Sequence, residues 1–309
     1  LQFDQLLGNV GAMKLKALLT RHRADLALLI GNGINRYGAR ANDNSWDALL
    51  TELAQKYLDP VHKKLPDGIS MTEFYDVLEL ACSRGAGEAS LQTQFCELMA
   101  GWRPQAQHER IVRWAQQHEI PVLTTNFEST LGDAIGCRLQ RIPNDKFTAF
   151  YPWERYYGTR AGVDPCREFA VWHINGMQCY RQSIRLGLTH YMGAVERARA
   201  WLHKGPARLS AGGDMQAWPG AVTWLQVVFH KPLLIFGLAL AENEVFLRWL
   251  LIERAKYYRK FPERRQAAWY VHGAADKDAG KLYFLKAVGV EPVAAADYDE
   301  IYGPATWNQ

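Results

Sequence analysis

Short apolar runs that stop abruptly at glycine or at a polar residue recur along this chain. Leu26-Ala27-Leu28-Leu29-Ile30 stops at Gly31, and Pro121-Val122-Leu123-Thr124 runs into Thr125-Asn126. Phe169–Ile174 ends at Asn175-Gly176, and Pro232-Leu233-Leu234-Ile235-Phe236 stops at Gly237. Runs without polar alternation have the form of strands buried on both faces of a parallel sheet. Two more strands are predicted at Ala267–Val271 and Val290–Val293. Between them the apolar spacing changes to the helical period. Helices are predicted over 12–23, 46–58, 71–82, 88–100, 106–118, 190–203, 218–229, 243–258 and 278–288. In the second of these, Trp46, Leu49, Leu50, Leu53 and Tyr57 share a face, with Ser45 placed as N-cap. Strands alternating with helices predict an α/β fold, a Rossmann-like doubly wound parallel sheet. Residues 60–118 read as an inserted helical lobe, broken at Gly85, Gly87 and Pro104, and 141–168 read as irregular. All 309 residues are expected to form a single domain.

Composition narrows the class without naming a function. The apolar fraction of 48% and charged fraction of 22% are those of a globular protein. A net charge of +4, scattered rather than blocked, biases the surface slightly towards anions and makes direct nucleic-acid binding unlikely. No run of eighteen apolar residues is present, so no membrane span is expected. The five cysteines, Cys82, Cys96, Cys137, Cys166 and Cys179, include no C-x2-C pair, and no metal site is expected. Such thiols suit a reducing, cytoplasmic compartment. No signal peptide opens the chain, and its start at Leu1 implies that natural residues precede it.

The candidate chemistry lies at the ends of the apolar runs. In an open α/β sheet, ligands sit beyond the carboxyl ends of the strands. Gly31-Asn32-Gly33-Ile34-Asn35 forms a Gly-x-Gly turn that suits a pyrophosphate, although Arg36 interrupts the full dinucleotide fingerprint. Thr124-Thr125-Asn126-Phe127-Glu128 brings a neutral amide, both donor and acceptor, to a strand end. Read alone, its polar residues are equally well helix caps. His173 and Asn175 lie on one side of their strand by alternation. A lone histidine there is most often a satisfied core residue. Gly237-Leu238-Ala239 offers small residues after a buried strand, with Glu242 near the next helix start.

Taken in order, these motifs resemble the sirtuin family. Gly31–Asn35 resembles its Gly-Ala-Gly-x-Ser turn, Thr124–Glu128 its Thr-Gln-Asn-Ile-Asp motif, Asn175-Gly176 its His-Gly, and Phe236–Ala239 its Gly-Thr-Ser. Trp46-x-x-Leu49-Leu50 and Ser183-Ile184-Arg185-Leu186…Tyr191 resemble bacterial sirtuin-like defence proteins more than deacylases. The resemblance spans about residues 25–272. It implies an NAD glycohydrolase that releases nicotinamide and ADP-ribose, with NAD as substrate, and that depletes NAD in anti-phage immunity. It places Gly31, Asn32, Gly33, Ile34, Asn35, Thr125, Asn126, Glu128, Gly237, Leu238 and Ala239 around NAD, with Asn126 catalytic. It also implies a homo-oligomer, or control by a partner such as a HerA-type motor ATPase.

Two departures shape the expectation. The four-cysteine zinc module of deacylating sirtuins has no counterpart in the cysteine spacing, which argues against a deacylase. Asn175 stands where the family carries its catalytic histidine, and asparagine takes no proton near neutral pH. The resemblance therefore implies an impaired His-to-Asn form, natural or engineered; His173, on the same strand face, is a candidate substitute base to which the resemblance assigns no role. The alternative is a non-catalytic NAD- or ADP-ribose-binding subunit of a defence complex.

Overall fold

The computed structural model describes residues 15–40, 43–58, 65–82, 89–141, 147–242, 244–276 and 278–308. Residues 12–14 of the first predicted helix, 60–64 and 83–88 of the predicted lobe, with Gly85 and Gly87, and Asn243 lie outside the described residues.

Eight strands form one sheet: β1 (Ala27–Ile30), β2 (Val122–Thr124), β3 (Arg138–Gln140), β4 (Tyr156–Gly158), β5 (Val171–His173), β6 (Leu233–Phe236), β7 (Ala268–Gly273) and β8 (Glu291–Ala295). Their order is β3-β4-β5-β2-β1-β6-β7-β8. The pairs from β5 through β8 are parallel, and β3-β4 and β4-β5 are antiparallel. The six parallel strands therefore run 3-2-1-4-5-6 in chain order, compatible with a Rossmann-like fold.

The helices are α1 (Leu15–His22), α2 (Gly33–Arg36), α3 (Trp46–Tyr57), α4 (Met71–Ala81), α5 (Leu91–Leu98), α6 (Ala106–Gln117), α7 (Thr130–Asp133), α8 (Leu188–His203), α9 (Trp224–His230), α10 (Val245–Lys260), α11 (Ala279–Ala287), α12 (Tyr298–Tyr302) and α13 (Pro304–Trp307). None of them is long and apolar enough to cross a membrane. Period-two alternation divides the central strands β1, β2 and β6 between two cores. Leu29, Leu123 and Ile235 face Trp224, Leu225 and Leu250 of α9 and α10. Leu28, Val122 and Leu234 face Leu18 of α1, Val112 of α6 and Trp307 of α13.

A third core belongs to α3, α4 and α5, where Leu50, Leu53, Phe74, Leu78 and Phe95 pack together. The lobe boundary thus differs from the expected 60–118. Helix α3, placed outside the insertion, supplies the lobe core, whereas α6, placed inside it, packs Ile111 and Val112 on the sheet. Periodicity tells that a helix face is buried, not what buries it. Ser45 precedes α3 as expected, but its side chain makes no capping bond. Ser70 and Glu73 instead build a capping box on α4.

Candidate functional site

The register sets the four motif-bearing strand ends level. Ile30 pairs with both Thr124 and Phe236, and Thr124 pairs with His173. Gly31, Thr125, Ile174 and Gly237 consequently begin four loops along one edge. Strand order reverses between β1 and β6, which is where a doubly wound sheet opens a crevice. The two loops meet there main chain to main chain: the Gly33 amide donates to the Gly237 carbonyl at 2.8 Å. A Cβ at Gly31 would overlap Leu238 and the Gly237 carbonyl oxygen, so only glycine fits.

This turn commits most of its amides internally. Those of Gly31, Gly33, Ile34 and Asn35 donate to the carbonyls of Phe236, Gly237, Gly31 and Asn32. An anion at this turn would meet the Asn32 main chain and the exposed Arg36 on the rim more readily than a cradle of free amides.

A cleft of about 920 Å³ opens over the switch point. Asn32, Gly33, Thr125, Gly237, Leu238 and Ala239 line its floor. Trp46 and Met71 of the lobe form one wall, and Tyr270, Tyr298 and Tyr302 of the β7–β8 side form the other. That volume and shape suit an extended organic ligand with a few polar anchors.

Beside the cleft lies a sealed polar cluster. Asn126 is 0%, Asn175 1% and His173 2% exposed, so none of the three is reached from outside. Thr125 Oγ1, both side-chain polar atoms of Asn126, both of Asn175, and His173 Nε2 have no hydrogen-bond partner among the described residues. Each buried unpaired polar group costs about 1–3 kcal/mol. Their concentration at two adjacent strand ends marks a place built for something other than packing.

The loops that carry them are firmly held. Thr124 Oγ1 donates to the Ile30 carbonyl at 2.8 Å and accepts the Asn126 amide at 3.0 Å. The first helical turn after β2 starts only at Thr130, so Thr124, Thr125 and Asn126 do not cap it. Phe127, next to Asn126, enters the lobe core and stacks on Trp46 at 5.0 Å. The Asn175 carbonyl accepts the Arg185 amide at 2.9 Å, and Ile184 and Leu186 enter the same core. Gly176 takes φ +110°, where a Cβ would overlap the Ser183 carbonyl. The lobe therefore clamps both loops and seals the cluster.

His173 is oriented by its neighbour strand. Its Nδ1 lies 2.7 Å from the Asn126 carbonyl oxygen, which only accepts, so Nδ1 carries the proton and Nε2 a lone pair. Burial pulls its pKa down to about 4. Glu128 is held by Asn35 Nδ2 at 2.7 Å and Thr130 Oγ1 at 3.1 Å, and burial raises its carboxyl above the usual range. Asn35 also binds Asn32 Oδ1 at 2.8 Å and His108 Nε2 at 2.8 Å. His108 accepts the Gln105 amide on Nδ1, so Nε2–H donates to Asn35 Oδ1. Burial lowers the His108 pKa to about 4, leaving a neutral His108 at the head of a His108–Asn35–Glu128 relay behind the Gly31 turn.

Of the sequence candidates, Asn32, Gly33, Thr125, Gly237, Leu238 and Ala239 line the open cleft. Gly31, Ile34 and Asn35 form its buried backing, and Asn126, Glu128, His173 and Asn175 lie in the enclosed layer. Sequence reasoning missed His108, Glu244 and Tyr302. Glu242, marked at the helix start, is exposed, and Glu244 is the residue that enters the cleft. Among the described residues, no group of three or more His, Cys, Asp or Glu could hold a metal ion. No protein-family model matches the chain, and no curated protein sequence matches it significantly.

Proposed function

We propose that this chain binds NAD along the cleft and hydrolyses the bond between nicotinamide and its ribose. The observation that carries the proposal is the row of unpartnered buried amide, hydroxyl and imidazole atoms from Thr125, Asn126, His173 and Asn175, adjoining the switch-point cleft. In this reading the ADP half lies over Gly31–Gly33 and Gly237–Ala239, with Arg36 supplying positive charge at the rim. The nicotinamide end points to Thr125 and Asn126.

The chemistry asks little of the protein at the leaving group. Nicotinamide leaves a cationic centre, so the transition state is oxocarbenium-like and acid catalysis is unnecessary. Once the lobe parts from the loop that covers it, Asn126 holds the nicotinamide ribose or the attacking water by its amide. Asn175 can hold but cannot take a proton, which makes the expected turnover slow. By resemblance, such turnover serves NAD depletion in anti-phage defence, controlled by self-association or by a HerA-type motor ATPase.

A second reading is a subunit that binds NAD or ADP-ribose without cleaving it, and the amide at position 175 favours it. Incubating the chain and Asn175→His with NAD, with nicotinamide, ADP-ribose and cyclic ADP-ribose followed by mass spectrometry, separates the two. Hydrolysis predicts nicotinamide and ADP-ribose, with the histidine form faster. Binding without product from either form leaves the second reading, and absence of binding removes both.

A further inference from the structure

Hydrolysis of this bond needs a group that takes a proton from water, and none of the enclosed residues is both basic enough and open to the cleft. Asn175 is an amide. His173 Nε2 keeps a lone pair, but burial makes it a weak base of pKa about 4, and Glu128, held through Oε1 by Asn35 and Thr130, backs the Gly31 turn and does not line the cleft. Resting on the NAD-hydrolysis reading, we infer that Glu244 is the proton acceptor of this chain.

Glu244 stands in the wall of the same cleft as Thr125, Leu238, Ala239, Trp46 and Met71. Thr125 lies on the β2 side of the switch point, and Trp46 and Met71 come from the lobe that clamps the Asn126 loop. Thr125 joins this cleft to the sealed polar cluster, since Asn126 follows it in the chain. The Glu244 amide donates to Ala241 and its carbonyl accepts from Arg248, both at 3.0 Å, so the backbone position is fixed. The carboxylate does not turn back to cap α10, and it has no hydrogen bond or ion pair among the described residues. It is left to face the cleft.

Its surroundings suit the role. The half-buried carboxyl is raised by loss of solvation to about 7, where a general base is most effective. Tyr191 of α8 lies within electrostatic reach of Glu244, and burial together with that carboxylate raises its pKa, so it stays protonated. Apart from the wall tyrosines, the other charged or titratable groups around the cleft are Asp47, Arg36, His272, Asp297 and the Asp276–Lys281 pair, the last closed at 2.5 Å. In the step, the water oxygen bonds to the ribose C1′ as the C1′–N bond breaks. The bonding pair leaves with nicotinamide, and the water proton passes to Glu244, which later returns it to solvent.

The test compares the full chain with Glu244→Gln and Glu244→Asp, measuring NAD affinity by calorimetry and nicotinamide release between about pH 5.5 and 9. Expected are a fall in kcat of about 10²–10⁴-fold in the glutamine form, with Kd within about threefold, and partial recovery in the aspartate form. The parent profile should lose activity as pH drops through about 7, because the protonated carboxyl accepts nothing, and the residual activity of Glu244→Gln should lack that limb. Turnover retained in Glu244→Gln, or an unchanged acid limb, overturns the inference and leaves NAD hydrolysis standing. NAD binding without turnover in the parent overturns it and leaves the binding reading, whereas no NAD binding at all overturns both.

Discussion

His173 Nδ1 sits 2.7 Å from the main-chain oxygen of Asn126, tying the end of β5 to the loop after β2. The buried ring holds its pKa near 4, whereas an unfolded histidine titrates at about 6.5. The unfolded chain therefore gains a proton that the folded ring refuses. Stability falls as pH drops from about 6.5 to about 4 and is level below, with about 2 kcal/mol lost through this residue between pH 7 and 5. Urea melts at the two pH values should show His173→Asn, which keeps a donor for the carbonyl, losing about 2 kcal/mol less than the parent. Equal losses would place the pH sensitivity elsewhere.

Asn126 has both side-chain polar atoms buried without partners. A residue kept for packing would tolerate truncation, whereas one that meets the reacting ribose would not. Asn126→Ala is expected to lower NAD turnover at least about 10²-fold while changing NAD affinity by less than about tenfold. It should also leave the fold as stable or more stable, since two unsatisfied groups are removed. Retained turnover would take Asn126 out of the mechanism.

Gly176 combines φ +110° with a backbone that leaves no room for a Cβ. Gly176→Ala is expected to destabilise the protein by more than about 3 kcal/mol, since left-handed strain and overlap with the Ser183 carbonyl add. A calorimetric or urea melt checks this. A loss below about 1 kcal/mol would mean that the 176–184 loop shifts freely.

The relay from His108 through Asn35 to Glu128 has no exposed member. His108→Ala strips Asn35 Oδ1 of its donor in a dry site, at a cost of about 1–3 kcal/mol beyond the lost packing. Because Asn35 backs the Gly31 turn, NAD affinity should weaken along with stability. His108→Gln, which can still donate to Asn35, should recover part of both. Affinity unchanged in His108→Ala would detach the relay from the cleft.

Much of this architecture is readable in the chain because β1, β2 and β6 are buried on both faces and appear as uninterrupted apolar runs. Their abrupt ends also mark the glycines and amides of the cleft. What escapes is short or distant. Strands β3 and β4 have three residues each and form the antiparallel margin of the sheet, so Arg138–Gln140 and Tyr156–Gly158 are too short for a period to be read. Helices α12 and α13 span about one turn, too little for a period, yet they seat Tyr302 on Gly33 and Trp307 on Trp114. His108 looks like any polar residue on an amphipathic helix, and its bond to Asn35 crosses 73 positions. Glu244 is one of several acids near a helix start, distinguished only by the cleft it faces.

The separate core of α3, α4 and α5 has a dynamic consequence. A unit with its own apolar centre opens locally at a free energy below that of global unfolding. Its seat on the rest of the molecule is the Phe127, Ile184 and Leu186 contact, directly over the loops of Asn126 and Asn175. A ligand spanning Trp46 on the lobe and Thr125 on the sheet adds its binding free energy to the work of parting them. Amide exchange in Trp46–Tyr57 and Met71–Ala81 would then slow with ligand concentration, because the local opening that exposes them also breaks the site. The lobe becomes the protein's own reporter of occupancy.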